Sequence, residues 1–431
     1  MQLLKFFLET FGCSLNKADS DLIVGRLHLL GFERSETVET ADVIILNTCG
    51  VKEPTEDKII HKLEQLSEGT IPVVITGCLP KISFNRVKSA IPDFGAILGP
   101  QSITSLGIIL QQVLNGAHGI THIESDEDSK LQYFEGPPNS VICTIPICEG
   151  CLGNCAYCAV RFARDQLKSY KIDKIRSVVE RCVHLGYLEI RLTAQDAGAF
   201  GRDTGETLPS LLHELAQISG NHRFRLGMFN PNLVTEYLPE LLDAMDSANY
   251  FQFFHVPLQS GNDRVLQAMN RRYTVKEWEH TVSEIRRGFP EATIATDIIV
   301  GFPGETGAEF DSTIDIIRKV KPSVINVSKY GDRPGTQSSK STEKVNTLVK
   351  KERSRTLTKI VDAIVESTNK SWIGWEGMVI ATGSGSKGGI ICRNPSYKSV
   401  IVHDDLQIGT IHKVKITSAK KTHLVGTVIS H

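Results

Sequence analysis

Three thiols stand within eight residues in Cys151-Leu-Gly-Asn-Cys155-Ala-Tyr-Cys158. Glycine and asparagine between them let the backbone bend until all three face one inorganic centre. Three is the informative number. A structural zinc site closes with four ligands, whereas a four-iron cluster held by three thiolates keeps one iron open for a substrate. Two arrangements compete: a buried cysteine cluster, and a zinc knuckle in which Cys148-x-x-Cys151 pairs with Cys155-x-x-Cys158. The three residues between those pairs are far fewer than usual zinc spacings contain. Ligand type and spacing therefore favour iron and sulfide.

The elements that must position such thiols can be read from the periodicity. Residues 1–100 alternate strand and helix: strand Phe6–Gly12, helix Lys17–Leu30 stopped by Gly31, strand Val43–Thr48, a helical stretch Thr55–Leu66 and strand Val73–Gly77. This alternation predicts a parallel sheet. Cys13, Cys49 and Cys78 each follow one of these strands. Parallel strands end on one edge, where α/β sheets build their ligand sites, so three cysteines far apart in sequence meet in space. One such cysteine is ordinarily a core residue; three at equivalent positions point to a second three-thiolate site. Residues 101–140 read as a linker, with polar turns at Asp126-Glu-Asp-Ser and Gly136-Pro-Pro-Asn; the acidic run reads as a solvated loop.

From Val141 onward six strand-like runs, Val141–Ile147, Leu188–Ala194, Phe224–Phe229, Phe251–Pro257, Thr293–Val300 and Ser323–Lys329, alternate with helical patterns such as Ile175–Leu185 and Glu309–Val320. Six βα repeats fit a partial (β/α)6 barrel with its chemistry at the strands' carboxyl ends. Cys151–Cys158, Gln195-Asp196, Asn230, Gln259 and the glycine-rich Gly301-Phe-Pro-Gly-Glu-Thr306 all fall there. Lys340–Thr358 reads as an exposed basic helix, ordinarily a solvated face. From about Trp372 five short strands, Gly377–Thr382, Gly389–Arg393, Ser399–His403, Thr410–Ile416 and Leu424–Ile429, fit a small closed β-barrel of the oligonucleotide-binding type. Lys387, Arg393, Lys398, Lys413, Lys415, Lys420 and Lys421 outnumber Glu376, Asp404 and Asp405 there, a local excess suited to phosphate. Cys143, Cys182 and Cys392 lie inside apolar runs and read as core; Cys148 stays outside the three-thiol spacing.

Composition narrows the setting. A chain of 431 residues, 41% hydrophobic and 23% charged, is an ordinary globular protein of two or three domains. A net charge of −1 excludes bulk attraction to nucleic acid, so RNA contact needs a local basic surface. No apolar run approaches the roughly 20 residues of a membrane span. Met1-Gln-Leu-Leu-Lys-Phe-Phe-Leu-Glu-Thr reads as a first strand, not a leader, because Glu9 interrupts it. Cysteines at strand ends suggest metal in a reducing cytoplasm, not a disulfide scaffold.

Cys-x3-Cys-x2-Cys with an aromatic residue before the last cysteine resembles the signature of radical S-adenosylmethionine (SAM) enzymes. Glu149–Cys158 is similar to the methylthiotransferases among them. The strings Thr10-Phe-Gly-Cys-Ser-Leu-Asn16, Leu46-Asn-Thr-Cys-Gly-Val-Lys52 and Thr76-Gly-Cys-Leu-Pro80 resemble that family's N-terminal domain. The resemblance covers nearly the whole chain. It implies an α/β fold: a Rossmann-like parallel-sheet N-terminal domain (1–125), a partial (β/α)6 radical SAM barrel (138–368) and a small C-terminal, TRAM-like RNA-binding β-barrel (369–431). It implies two [4Fe-4S] clusters, an auxiliary one on Cys13, Cys49 and Cys78 and a SAM-binding one on Cys151, Cys155 and Cys158. Gly301, Pro303 and Gly304 look like part of the SAM-binding stretch. Gln195 and Asp196 are candidate polar SAM contacts, with turn capping as their alternative use. One departure stands out: the family's usual Ala-Arg-Gly after the cluster loop reads Ala163-Arg164-Asp165 here.

Attaching sulfur to C2 of an adenine breaks a C–H bond that no side-chain base can deprotonate, so a cofactor must carry the step. The resemblance implies that one SAM supplies a 5′-deoxyadenosyl radical, a second SAM the methyl group, and the auxiliary cluster the methylthio group. Arg225-Leu-Gly-Met-Phe-Asn-Pro231, His255-Val-Pro-Leu-Gln-Ser260 and Thr296–Thr306 look like the archaeal and eukaryotic branch. That branch methylthiolates N6-threonylcarbamoyladenosine at position 37, in the tRNA anticodon loop, where a base is already partly splayed. An electron donor and a sulfur source, both of unknown identity, are further implied partners. Isopentenyl-adenosine in tRNA and a ribosomal-protein aspartate remain alternative substrates, and an iron–sulfur RNA-binding protein the non-enzymatic alternative.

Overall fold

The computed structural model describes residues 3–51, 53–126 and 129–429. Met1 and Gln2 of the first predicted strand, Lys52, and Glu127 and Asp128 of the acidic run lie outside the described residues. Val43–Thr48 and Val73–Gly77 are buried along their whole length, as strands covered on both faces must be. They sit inside a six-stranded sheet in the order Glu33–Arg34, Lys5–Thr10, Val43–Thr48, Val73–Gly77, Ala96–Leu98, Ile120–His122. Every pairing in it is parallel. The linker expected over 101–140 is in part a continuation of this sheet. Leu106–Leu114 is a helix with Leu106, Ile109, Leu110 and Val113 buried, and Ile120–His122 is the sixth strand. A three-residue strand is too short to show a period. Asp126 is not solvated either: it accepts from Ser105 N (2.9 Å) and Ser105 Oγ (2.6 Å), just before that helix.

The central region contains two three-stranded parallel sheets, Arg223–Leu226, Glu189–Thr193, Ile142–Pro146 and Phe253–His255, Thr293–Val300, Val324–Lys329. A Phe224–Tyr250 bridge and the hydrogen bond from Phe229 N to His255 O (3.1 Å) carry the curve from one to the other. The result is the six-stranded open barrel expected from the repeats. The basic helix differs from expectation. It spans Thr347–Lys370, so Lys340 and Lys344 precede it, and it buries Leu357 and Val361. Arg353 on it donates to Glu305 Oε2 at 2.6 Å, so this face is docked on the barrel.

One apolar core runs from the N-terminal sheet (Phe6, Leu22, Val43) through the barrel (Ile145, Leu192, Ile294) to Leu357 and Val361. The helix Ser14–Leu29 lies at the junction. A Cβ on its Gly25 would stand 1.9 Å from the carbonyl oxygen of Tyr133, so only glycine lets that chain segment cross. The C-terminal strands close a five-stranded barrel in the order Glu376–Ser384, Ile390–Arg393, Ser399–Val402, Leu424–Val428, Ile411–Ala419. Register shifts at Ala381/Gly383 and Ile416/Ser418 help it curl. Its core contains Trp372, Val379, Cys392 and Val414, while Cys143 and Cys182 belong to the main core. Tyr397 docks this barrel on the central region: its hydroxyl donates to Glu189 Oε1 at 2.5 Å and its ring packs on Phe251 and Phe253.

Candidate active site

The N-terminal sheet delivers Cys13, Cys49 and Cys78 to its carboxyl edge, where Asn16 gathers them. The Asn16 amide nitrogen donates to Phe11 O (3.0 Å) and to Thr48 O (2.8 Å), the residue before Cys49. Its Oδ1 accepts from the Cys13 and Cys78 thiols, each at 3.7 Å. Cys49 lies against Gly12, whose φ is +120° and where a Cβ would come within 2.6 Å of the Cys49 Cβ. Cys13 is exposed, while Cys49 and Cys78 are buried. Burial pushes the Cys78 thiol up to about 11, against the downward pull of Arg164, and raises Cys49 as well. Thiols held this way give up their protons when a metal takes them.

The central triad follows strand Ile142–Pro146 on a loop pinned by the pairing of Cys148–Glu149 with Lys168–Ser169. Gly153 N donates to Cys151 Sγ (3.1 Å), and a Cβ on Gly153 would lie 3.2 Å from Cys151 Sγ and 3.7 Å from Cys155 Sγ. Arg271 Nη1 donates to Cys155 Sγ at 3.1 Å, and Nη2 to Asn230 Oδ1. Asn230 Nδ2 in turn donates to Asp196 Oδ2 at 2.5 Å, and Gly198 N to Asp196 Oδ1 at 3.1 Å. Asp196 is thus both a turn cap and the anchor of a chain of hydrogen bonds ending on Cys155. Burial raises its pKa, and the bonds from Asn230 oppose the rise. Gln195 differs: its Oε1 is buried with no hydrogen-bond partner among the described residues. Cys148 points its sulfur at the Asp196 carbonyl (3.8 Å), beneath the loop.

The glycine-rich stretch turns toward this chain's own side chains. Gly301 N donates to Glu305 Oε2 (2.7 Å) and Gly304 N to Glu343 O (2.8 Å). A Cβ on Gly301 would meet Lys350 at 2.2 Å, and one on Gly304 would meet Glu343 at 2.6 Å. With Pro303 buried between them, the two glycines seat Phe302 edge-on to Tyr157, the residue before Cys158, with ring centroids 6.4 Å apart. Asp165, where the family pattern has glycine, takes φ 51° and ψ −142°. That backbone region strongly favours glycine. The Asp165 carboxylate accepts from Lys81 Nζ at 2.5 Å, a contact with the N-terminal domain.

A cavity of about 850 Å³ reaches from Tyr157 and Cys158 to Val51, two residues past Cys49. Gln259, Asn326, Lys329 and Arg333 also line it. Arg333 donates to Gly50 O (2.6 Å) and to Glu56, joining the barrel to the N-terminal domain. Sequence reasoning missed Asn16, Arg271, Lys329 and Arg333. Asn16 stands in the Thr10–Asn16 string, three residues past Cys13, the spacing at which a helix's first turn folds back on its cap. The arginines and Lys329 carry no local signal.

Among the described residues no three His, Cys, Asp or Glu side chains close tightly enough to hold a single metal ion. A four-iron cluster makes a different demand, because three thiolates on three separate irons stand apart around a gap. Gly12 and Gly153 keep such gaps clear, and all-thiol donor sets suit iron–sulfur chemistry. The residues present therefore fit the group.

Comparison with known proteins agrees. The radical SAM superfamily pattern matches residues 145–317, and that of uncharacterized protein family UPF0004 matches residues 5–99. The chain is 37% identical over 430 residues to the probable threonylcarbamoyladenosine tRNA methylthiotransferase of Pyrococcus horikoshii, covering 99% of this chain and 100% of that one. It is 36% identical to the probable enzyme of the same name from Archaeoglobus fulgidus, over 97% of each chain. With the Drosophila melanogaster threonylcarbamoyladenosine tRNA methylthiotransferase it shares 33% identity, over 99% of this chain and 78% of that one. Among solved structures, the radical S-adenosylmethionine methyltransferase TsrM from Kitasatospora setae aligns with a TM-score of 0.59 at 13% identity, over 78% of this chain and 77% of that one. The cobalamin-dependent radical enzyme OxsB aligns at 0.53 and 9% identity, over 84% of this chain and 56% of that one. At such identities the two structures show a shared fold alone. The full-length identity to the curated enzymes decides the matter: the chain belongs to the threonylcarbamoyladenosine tRNA methylthiotransferase family of radical SAM proteins.

Proposed function

We propose that this chain methylthiolates C2 of N6-threonylcarbamoyladenosine at position 37 of tRNA. The observation that carries this reading is the single cavity that runs from one cysteine triad to the neighbourhood of the other. A substrate base held there would lie beside Cys158 and near Val51, two residues past Cys49. Cys151, Cys155 and Cys158 would hold the SAM-binding [4Fe-4S] cluster, and Cys13, Cys49 and Cys78 the auxiliary one. Bound there, clusters and SAM supply the radical and sulfur-transfer chemistry that side chains cannot. The chain's own residues orient: Asp196 fixes Asn230 and through it Arg271, and Gly301, Pro303 and Gly304 brace Phe302 against the triad's loop.

The cavity lining also bears on the nucleoside. A threonylcarbamoyl group ends in a carboxylate and a hydroxyl, whereas an isopentenyl group is wholly apolar. Lys329, Gln259 and Asn326 suit the former. The acidic residues of the lining are partnered: Asp297 accepts from His255 Nε2 and Asn326 Nδ2, both at 2.8 Å, and Asp362 pairs with Lys421. The C-terminal barrel supports tRNA binding through Lys387, Lys413 and Lys420. Thiolate-held clusters and a tRNA substrate both call for a reducing, tRNA-containing compartment, the cytoplasm. An electron donor and a sulfur source complete the reaction.

The test is a reconstituted reaction: anaerobically loaded protein, SAM, a low-potential reductant, a sulfide source and tRNA carrying threonylcarbamoyladenosine. The reading expects 5′-deoxyadenosine together with 2-methylthio product in that tRNA and none in tRNA carrying isopentenyl-adenosine. Product in the isopentenyl substrate alone contradicts it.

A further inference from the structure

Arg164 is fully buried, six residues past Cys158, and its guanidinium reaches the supports of both triads. Nε donates to Cys78 Sγ at 3.4 Å, Nη1 to Glu149 Oε2 at 3.0 Å, and Nη2 to Asn16 Oδ1 at 3.2 Å and to Asp19. Lys130, also buried, donates to Asp19 Oδ1 (2.6 Å), Glu149 Oε2 (2.9 Å) and Pro100 O (3.0 Å). Tyr170 donates its hydroxyl to Glu149 Oε1. Two cations thus face two carboxylates, the balance a dry interior requires.

The positions of these partners matter. Glu149 lies two residues before Cys151, so the Arg164–Glu149 pair closes the base of the central cysteine loop. Asn16 adjoins the Cys13 and Cys78 sulfurs, with its Oδ1 3.7 Å from each, and Asp19 lies on the same helix as Asn16. One side chain therefore touches the N-terminal triad and the base of the central cysteine loop. Its Nε hydrogen is committed to sulfur, which is a weak acceptor as a thiol and a stronger one as a metal-bound thiolate, where the hydrogen bond is charge-assisted at both ends. Asp165 adds a second tie, since its carboxylate accepts from Lys81 of the N-terminal domain.

We propose that Arg164 is a positioning residue that fixes the N-terminal cluster against the central cysteine loop and raises that cluster's reduction potential. The direction follows from charge: a cation and N–H donor at a ligand sulfur favour the reduced, more negative state. The proposal rests on the cluster assignment of Cys13, Cys49 and Cys78 made above.

The experiment is a potentiometric titration followed by electron paramagnetic resonance. The parent is the full chain with Cys151→Ala, Cys155→Ala and Cys158→Ala, so that the N-terminal cluster alone is observed. Into it go either Arg164→Lys or the pair Arg164→Met with Glu149→Gln, which leaves one cation facing one carboxylate. The expected result is a lower potential in the paired variant, which keeps the local net charge but loses the N–H donor at Cys78 Sγ, and an intermediate one in Arg164→Lys, which keeps the cation, with iron still bound. Potentials equal to the parent's overturn the proposal. If the paired variant does not fold, Arg164→Lys decides alone by the same criterion. A parent that binds no iron overturns the underlying cluster assignment, and does so before any arginine is changed.

Discussion

Each cysteine triad has one sulfur that accepts a guanidinium N–H, Cys78 from Arg164 and Cys155 from Arg271. Each arginine is itself aimed by an amide and a carboxylate, Asn16 with Asp19 in one case and Asn230 with Asp196 in the other. On the proposed function, Lys329 in the lining of the cavity is the cation that would meet the substrate's carboxylate. A hydrogen bond to a charged group is worth about 1.5–3 kcal/mol, so Lys329→Ala lowers kcat/KM for threonylcarbamoyl tRNA about ten- to a hundredfold, while Lys329→Arg keeps most of it; initial rates on the modified tRNA check this. Lys398 is a different case. It was grouped with phosphate-binding lysines, yet it is buried, donates to Asn369 Oδ1 at 3.2 Å, and is pushed down by burial to about 8. Because its folded pKa is below the unfolded value, its burial penalty is full below pH 8 and relieved as pH rises toward the unfolded pKa near 10.5. Lys398→Met therefore stabilises the protein by about 1–3 kcal/mol at pH 7, a gain that fades above pH 8, and leaves tRNA affinity unchanged. Thermal melts across that pH range and a binding titration measure both.

At the scale of elements, separate sheets carry separate triads, and their chemistry separates with them. Reconstituted protein should hold about eight irons and eight sulfides, four of each per [4Fe-4S] cluster. Replacing Cys13, Cys49 and Cys78 by alanine should halve the iron, spare 5′-deoxyadenosine formation and stop methylthio transfer. Replacing Cys151, Cys155 and Cys158 should abolish 5′-deoxyadenosine. Iron analysis and product chromatography distinguish these outcomes, and loss of both activities in both folded variants contradicts the division. Much of this arrangement was legible in the sequence because apolar runs as long as Val43–Thr48 and Thr293–Val300 stand out as buried strands. The cysteines stand where those runs stop. Ile120–His122 was missed because three residues show no alternation. The contacts of Arg164, and Arg333 altogether, were not legible because their partners lie 86 positions away at Cys78 and 277 positions away at Glu56. The glycines at 301 and 304 were legible as close approaches, but not that Lys350 and Glu343 are what approaches.

At the scale of the molecule, one continuous core fuses the N-terminal sheet to the barrel, while the C-terminal barrel keeps a core of its own. Of its basic residues, Lys415 pairs with Glu376, Lys421 with Asp362, and Arg393 stacks on Tyr397. Lys387, Lys413 and Lys420 remain for phosphate, a smaller surface than the composition suggested. Truncation before Trp372 should still weaken tRNA binding and flatten its salt dependence, because each released phosphate contact reduces the slope; SAM cleavage without tRNA should persist. Affinities at several salt concentrations test this, and equal slopes would make the barrel a structural cap. The central claim, that the two triads act together on one anticodon-loop nucleoside, is tested most directly by mass spectrometry of tRNA nucleosides from a strain lacking this gene. Such tRNA should contain threonylcarbamoyladenosine without its 2-methylthio form, restored by the wild-type gene but by neither triad variant. Undiminished 2-methylthio-threonylcarbamoyladenosine in the deletion strain, or its restoration by either triad variant, would contradict the account.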